Sequence, residues 1–136
     1  MEALFMMKIG ETIQSGDFKG EKHVPVIEAP AKVKAGEKFE VKVCVGKEIA
    51  HPNKMEHHIS WIQLFFKPAD SKFVIELAKF DFTAHAAAMD VAAAGPALAE
   101  PFAAAAVKLA KPGTLIAVSY CNIHGLWESA QEIEVE

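Results

Sequence analysis

The chain has 136 residues, a formal net charge of -4 and 51% hydrophobic residues. This length suits one domain with its own buried core, and the small acidic excess argues against nucleic acid as a partner. The two cysteines could form at most one disulfide, and free thiols are typical of a reducing, cytoplasmic setting. The first residues lack the basic region of a signal peptide, and no apolar run is long enough to span a membrane.

Hydrophobic residues alternate with polar ones along several segments, which predicts strands rather than helices. In chain order, the first clear strand is Phe39–Val45, whose valines are predicted to face inward. Ile59–Phe66 is apolar on both faces, which predicts a central strand. Phe73–Leu77, running on to Phe80 and Phe82, is predicted to form a third strand.

The alanine-rich stretch Ala84–Ala106 is the one segment whose composition favours helix. Gly95, Pro96 and Pro101 divide it into pieces that are too short to be stable helices alone. We therefore predict that Ala84–Ala99 is a connection with one helical turn, followed by a strand.

The last strands are predicted to be joined by a tight turn. Lys111-Pro112-Gly113 has proline and glycine at the positions preferred in a type II turn, between strands at Phe102–Ala110 and Thr114–Tyr120. Glu132–Val135 is predicted to form the last strand. The pattern favours an all-β fold, an immunoglobulin-like antiparallel β-sandwich of about seven strands. No internal repeat or domain boundary is evident, so residues 1–136 are predicted to form a single domain.

A thiol and an imidazole lie three residues apart directly after the predicted strand Thr114–Tyr120. Cys121 and His124 could therefore close on one metal ion, and Gly125 permits a tight turn there. A Cys-x-x-His motif alone is a weak signal. It gains weight because other histidines also lie in short, loop-like segments, namely Glu21-Lys22-His23-Val24-Pro25, His51-Pro52-Asn53 and Glu56-His57-His58.

Neighbouring residues on a strand point to opposite faces, so His57 and His58 are not expected to reach the same ion. His85 has no comparable neighbouring motif and is interpreted as structural, and Cys44 is interpreted as a small strand residue. The remaining candidates for a metal site are His23, His51, His57, His124 and Cys121.

Four imidazoles and one thiolate exceed the ligand set of a structural zinc site and favour a five-coordinate, redox-active ion with an open position. The closest alternative is a cupredoxin-like copper protein that transfers electrons without turnover chemistry. Such a site requires two histidines, one cysteine and an axial methionine. No methionine follows His124, the last one being Met89, and two histidine segments would remain unexplained. Iron is therefore the preferred metal.

Together these motifs resemble the superoxide reductase family. The similarity extends from about Ile9 to the C-terminus, and it is to the short, one-iron form called neelaredoxin. The longer desulfoferrodoxin form has an additional N-terminal four-cysteine domain, whereas this chain has no cysteine before Cys44. Residues 1–8 are expected to be an extension outside the match. The segments that carry the resemblance are Glu21–Ile27, Val45–Ile49, His51–Asn53, Glu56–Ile59 and Ser119–Trp127.

The resemblance implies one mononuclear iron that cycles between Fe2+ and Fe3+ and reduces superoxide by one electron to hydrogen peroxide, as a defence against oxygen stress. It implies that Glu21 can occupy the sixth position on oxidised iron and that Lys22 lies beside the open site. A small electron donor such as rubredoxin and a homotetrameric assembly are also implied. The implied ligands are four equatorial histidines and one axial cysteine: His23, His51, His57, His124 and Cys121.

Overall fold

The computed structural model describes residues 7–136, and strands dominate this range. A short 3-10 helix, Ile9–Glu11, precedes them. Within residues 7–136, no helix has the length and apolar character needed to cross a membrane. Most of the predicted extension, residues 1–6, lies outside the described residues. The strands are β1 (Pro25–Glu28), β2 (Lys32–Val33), β3 (Phe39–Val45), β4 (Ile59–Pro68), β5 (Ile75–Asp81), β6 (Phe102–Val107), β7 (Gly113–Cys121) and β8 (Gly125–Val135).

The strands form two sheets, with the orders β1-β3-β6 and β2-β8-β7-β4-β5. Neighbouring strands are antiparallel except for the short pairing of β2 with β8. Buried side chains from both sheets share one hydrophobic core, which confirms the predicted all-β, immunoglobulin-like sandwich. The described chain has eight strands rather than about seven, because β2 has two residues and is too short to show alternation in sequence.

Inward-facing side chains alternate along the strands that build the core. In β3 the exposed fractions of Val41, Val43 and Val45 are 0%, 2% and 1%, as the alternation predicted. The predicted central strand, β4, lies between β5 and β7, and Ile62 and Leu64 are fully buried. Burying an aliphatic side chain of this kind contributes about 1.5–3 kcal/mol. The core is therefore formed mainly by strand residues of both sheets.

Strand β7 determines where the cysteine points. From Leu115 onward every second residue of this strand is fully buried, so the last residue also faces the core side, at one end of the sandwich. Both cysteines are free thiols, and Cys44 is buried in β3. The alternating buried residues of β7 are Leu115, Ala117, Ser119 and Cys121.

Ala84–Ala99 is a connection followed by a strand, as predicted, but this described segment contains no helix, so the predicted helical turn is wrong. The segment folds back on itself, with an isolated bridge between His85 and Leu98. The N–H of Ala86 donates to the carbonyl of Ala97 at 2.8 Å. Because these cross-pairings satisfy the main chain, the helical preference of alanine is overridden by tertiary contacts.

The type II turn predicted at Lys111–Gly113 is also wrong. Gly113 is the first residue of β7 and pairs with Pro68 on one side and Ile133 on the other. It lacks the left-handed φ that a type II turn requires at this position. The chain passes here from β6 in one sheet to β7 in the other, so the connection does not close a hairpin.

Candidate metal centre

One end of the sandwich gathers four imidazole rings from distant parts of the chain. Successive ring centroids lie 4.8 Å (His23–His51), 4.8 Å (His51–His57), 5.1 Å (His57–His124) and 4.7 Å (His124–His23) apart. Across the group, His23 and His57 are 6.4 Å apart. Four similar sides and a longer diagonal place the rings near the corners of a square.

The thiol of Cys121 joins these rings. One donor atom from each of His23, His51, His57 and Cys121 lies within 4.8 Å of the others. His124 adjoins this group through its Nδ1, which is 3.0 Å from Nε2 of His23 and 3.8 Å from Sγ of Cys121. The structure thus brings together the five residues that the resemblance implied as ligands.

Hydrogen bonds determine which ring nitrogen faces the centre. Nδ1 of His23 lies 2.6 Å from Oε1 of Glu21, and Nδ1 of His51 lies 2.7 Å from the carbonyl oxygen of Pro52. Because both partners are acceptors, each Nδ1 carries the proton and donates it. Nε2 of each ring then keeps its lone pair, which is the state required of a metal ligand.

Two inward nitrogen atoms have no hydrogen-bond partner. Nε2 of His51 and Nε2 of His57 are buried, and neither has a partner among the residues that the structure describes. An unpaired buried polar atom costs about 1–3 kcal/mol. Two such atoms beside a buried thiol are explained if the centre binds a metal, and imidazole with thiolate suits a transition metal such as iron.

The electrostatic environment keeps two of these rings neutral. Burial is the main cause that lowers the pKa of His51 to about 4; the hydrogen bond to Pro52 opposes this shift, and the positive charges of neighbouring histidines and Lys22 add to it. Burial also lowers the pKa of His57, again with smaller effects of neighbouring positive charges. Both imidazoles are therefore unprotonated at neutral pH, as metal binding requires.

Residues that the sequence analysis did not single out hold the histidines in place. The buried hydroxyl of Ser119 donates to the carbonyl of His23 at 3.2 Å. Nε2 of Gln14 donates to the carbonyl of His124 at 3.2 Å. A hydroxyl on the core face of an apolar strand is the signal that could have identified Ser119, whereas nothing in the sequence pattern marks Gln14.

Trp127 supports two of the rings. Its indole stacks on the His23 ring at a centroid distance of 5.0 Å and an interplanar angle of 14°. Its Nε1–H donates to the carbonyl of His124 at 3.3 Å. Trp127 is 8% exposed, so it also covers one side of the centre from water.

The connection between β3 and β4 carries His51 and His57. Lys54 and His57 exchange two main-chain hydrogen bonds, each 3.0 Å long. The ring of His58 stacks on that of His85 at 3.5 Å and donates from Nδ1 to the carbonyl of Lys54 at 3.0 Å. The structure therefore places His57 inside the group of rings and His58 outside it.

Glu21 and Lys22 directly precede His23. Oε1 of Glu21 accepts hydrogen bonds from the main-chain N–H and from Nδ1–H of His23, at 3.0 Å and 2.6 Å. These bonds lower the pKa of Glu21, so its carboxylate is ionised. In this conformation Glu21 contacts the outer side of the His23 ring, and Lys22 is half-buried beside it.

Comparison with known proteins identifies relatives along nearly the whole chain. A family model described as desulfoferrodoxin matches residues 15–130. A Thermotoga maritima protein is 53% identical over 130 residues, which cover 96% of this chain and 99% of that protein. A crystal structure from the same organism covers 96% of this chain and 99% of its own, at 52% identity, with a TM-score of 0.91.

Two further relatives have names that describe a redox protein. Superoxide reductase of Pyrococcus furiosus is 50% identical over 126 residues, covering 93% of this chain and 99% of its own. Neelaredoxin of Megalodesulfovibrio gigas is 45% identical over 130 residues, covering 96% of this chain and 100% of its own. The family match and these identities confirm the resemblance, and the chain belongs to the desulfoferrodoxin family.

Proposed function

We propose that this chain is a superoxide reductase. One superoxide, one electron and two protons give one hydrogen peroxide, so the reaction needs an electron source and a proton source. The observation that carries the proposal is the convergence of four imidazoles and a buried thiol, with two inward nitrogen atoms unpaired in the described chain. Superoxide reductase is also the name of a relative at 50% identity.

We further propose that the centre holds one iron ion per chain. Bound there, iron supplies reversible one-electron chemistry. A cupredoxin-like copper centre is less well supported, because it takes two histidines and an axial methionine, whereas four imidazoles surround this centre. The proposed donor atoms are Nε2 of His23, His51 and His57, Nδ1 of His124 and Sγ of Cys121.

Cys121 has the surroundings expected of a thiolate ligand. It is 0% exposed, so water does not compete for the sulfur. The main-chain N–H of His124 donates to Sγ at 3.4 Å, which moderates the negative charge on the sulfur. Charge donation by an axial thiolate influences oxygen chemistry at haem iron. We propose that Cys121 would likewise donate charge to a bound iron, with the difference that the O–O bond stays intact in the hydrogen peroxide product.

Lys22 is proposed to draw superoxide to the site. The chain has a formal net charge of -4, so attraction of an anion must be local. The lysine is half-buried next to His23, and its charge is felt at both His51 and His57. We propose that it also delivers a proton through water, since an ammonium group is a hydrogen-bond donor with three N–H groups.

Glu21 is proposed to bind oxidised iron as a sixth ligand, as the family resemblance implies. In the structure its carboxylate accepts the Nδ1–H of His23 instead. The proposal therefore requires the carboxylate to leave His23 and move to the inner side of the ring. While it remains hydrogen-bonded, Glu21 holds His23 in the tautomer that presents Nε2 to the metal.

The setting of the enzyme is also proposed from the family resemblance. We propose that residues 1–136 act as one domain, that the protein is a cytoplasmic homotetramer and that a small donor such as rubredoxin supplies the electron. Both cysteines are free, which supports a reducing environment.

The proposed function is tested by metal analysis, absorption spectroscopy and rapid mixing with superoxide. We expect about one iron per chain and a visible thiolate-to-iron absorption that fades on reduction. The reduced protein should consume superoxide and form hydrogen peroxide without releasing dioxygen. Stoichiometric copper, or dioxygen release in equal measure with peroxide, would contradict the proposal.

A further inference from the structure

Asn122 lies in the hairpin between β7 and β8, and its side chain reaches the β3–β4 connection, which carries His51 and His57. We propose that its side chain is a positioning residue, which sets the placement of His57 relative to Cys121. The side chain makes no hydrogen bond to the His57 ring or to Sγ of Cys121. It therefore acts through the main chain of neighbouring residues. This inference rests on the proposed iron site and adds Asn122 to the residues that position its candidate ligands.

Three hydrogen bonds join Asn122 to the segment around His57. Oδ1 accepts from the main-chain N–H of His58 at 2.8 Å. Nδ2 donates to the carbonyl of Glu56 at 3.2 Å. The main-chain N–H of Asn122 donates to the carbonyl of His58 at 3.2 Å. The residues on both sides of His57 are therefore attached to the residue that directly follows Cys121.

The strand ladder does not provide this attachment alone. The pairing of β4 with β7 begins at Ile59 opposite Cys121, and its register shifts between Ile59 and Trp61. Beyond this irregular end, residues 56–58 have left the strand. Among residues 7–136, the side-chain hydrogen bonds that connect the two loops are those of Asn122. The carboxamide thus extends the connection past the end of the ladder.

The exposure of Asn122 strengthens the inference. The residue is solvent-exposed, so burial does not account for its conformation. A free amide would be solvated equally well in several rotamers, whereas this one uses its donor and its acceptor on the same short segment. Groups that orient metal ligands commonly affect metal affinity by about 10–100-fold when they are removed.

The test compares Asn122→Ala with a matched control, Gln131→Ala. The control removes another amide that donates to main-chain carbonyls, those of Ala29 at 3.2 Å and Pro30 at 3.5 Å, away from the metal centre. The measurements are the rate of iron transfer to a chelator and the position of the visible absorption of the oxidised protein. We expect Asn122→Ala to release iron about tenfold faster, with a shifted band, and Gln131→Ala to match the wild type.

A second variant keeps the test decisive if the alanine protein does not fold. Asn122→Asp retains an acceptor for the N–H of His58 but loses the donor to Glu56, so its rate of iron release should be intermediate. Wild-type rates and an unshifted band in the asparagine variants would overturn the inference while leaving the proposed function intact. A wild-type protein that binds no iron would instead overturn the proposed function, and the inference with it.

Discussion

The two loops that carry most of the candidate ligands are built in different ways. In the hairpin between β7 and β8, three residues, Asn122–His124, connect two long strands whose pairing ends at Cys121 opposite Gly125. The connection between β3 and β4 passes from one sheet to the other and carries His51 and His57. The hairpin geometry follows from residues adjacent in sequence, whereas the β3–β4 connection depends on contacts with distant residues.

Some of those distant contacts lie with the alanine-rich segment. Nδ2 of Asn53 donates to the carbonyl of Ala99 at 3.0 Å, and its Oδ1 accepts from Nδ1 of His85 at 2.9 Å. His85 was predicted to be structural, and its contacts with Asn53 and His58 lie in the loop that carries the candidate ligands His51 and His57. A Cys-x-x-His pair is therefore visible in sequence as a unit, while the placement of His51 and His57 is visible only in the fold.

The largest effect is expected from removing the sulfur of the hairpin. Cys121→Ser should abolish the visible thiolate-to-iron absorption and most superoxide reduction, because serine is a harder and weaker donor to this metal. Circular dichroism should still report a folded sandwich, since the core is formed by other residues. Cys44→Ser is the matched control, as it alters a buried free thiol in β3 and should leave the band unchanged. Full activity in Cys121→Ser would refute the axial assignment.

The next effect separates two neighbours in the β3–β4 connection. His57→Ala should lose most of its iron, because an inward nitrogen atom is removed from the centre. His58→Ala should retain iron near the wild-type level, although it loses its stacking on His85. Iron content per chain, measured on both purified variants, checks this ranking. The reverse ranking would mean that the placement of the two side chains is wrong.

Substituting two glycines, Gly46 and Gly125, tests whether the two loops differ in backbone strain or in the room available for an added Cβ. Gly46 has φ +94°, and an added Cβ would lie 2.9 Å from the main-chain nitrogen of His51. Gly125 has φ +81°, and an added Cβ would meet nothing within 4 Å among the described residues. Gly46→Ala should lower the free energy of unfolding by about 2–4 kcal/mol through strain and a clash, and it should also weaken iron binding.

Gly125→Ala serves as the comparison for that variant. Its free energy of unfolding should fall by only about 1–2 kcal/mol, which is the cost of an alanine in the left-handed conformation, and it should retain iron. Chemical denaturation of both iron-free variants, followed by iron titration, measures the two effects separately. Equal losses of stability and equal iron affinities would show that the close approach at His51 does not matter.

The smallest structural effect is expected outside both loops, at Glu21 and Lys22. Lys22→Ala should slow the second-order capture of superoxide by about tenfold and weaken its dependence on ionic strength, since screening acts only on a charge that is present. Glu21→Ala should barely change capture but should alter the spectrum of the oxidised protein. Stopped-flow or pulse radiolysis at low and high salt provides the measurement.

Glu21→Gln is a further control in that experiment. It keeps an acceptor for Nδ1–H of His23 while weakening any bond to the metal, so it separates the two roles proposed for Glu21. Unchanged capture in Lys22→Ala, or a collapse of capture in Glu21→Ala, would overturn this division of roles.

The parts of the fold that repeat a local pattern could be predicted from sequence. Alternation along Phe39–Val45 predicted a strand and its buried face because a strand repeats every two residues, and the apolar run Ile59–Phe66 predicted a central strand. The conformation of Ala84–Ala99 could not be predicted in the same way, since its cross-pairing depends on main-chain contacts that composition does not encode. The type II turn predicted at Lys111–Gly113 is wrong for a related reason, because Gly113 pairs with two neighbouring strands.

The candidate site shows the same division. The resemblance predicted five candidate donors, which lie in four short motifs, with Cys121 and His124 sharing one. The supporting contacts of Gln14, Ser119 and Asn122 were not predicted, because their partners lie far along the chain. Only the observed fold reveals them.

The wide spacing of the donors along the chain has a consequence for folding. Nε2 of His23 and Nδ1 of His124 lie 3.0 Å apart although 101 residues separate them. Closing such long loops is entropically costly and is therefore expected late on the folding pathway. During synthesis from the N-terminus, Cys121 and His124 leave the ribosome long after His23. We therefore expect iron to enter a chain whose two sheets have already formed, rather than to nucleate its folding.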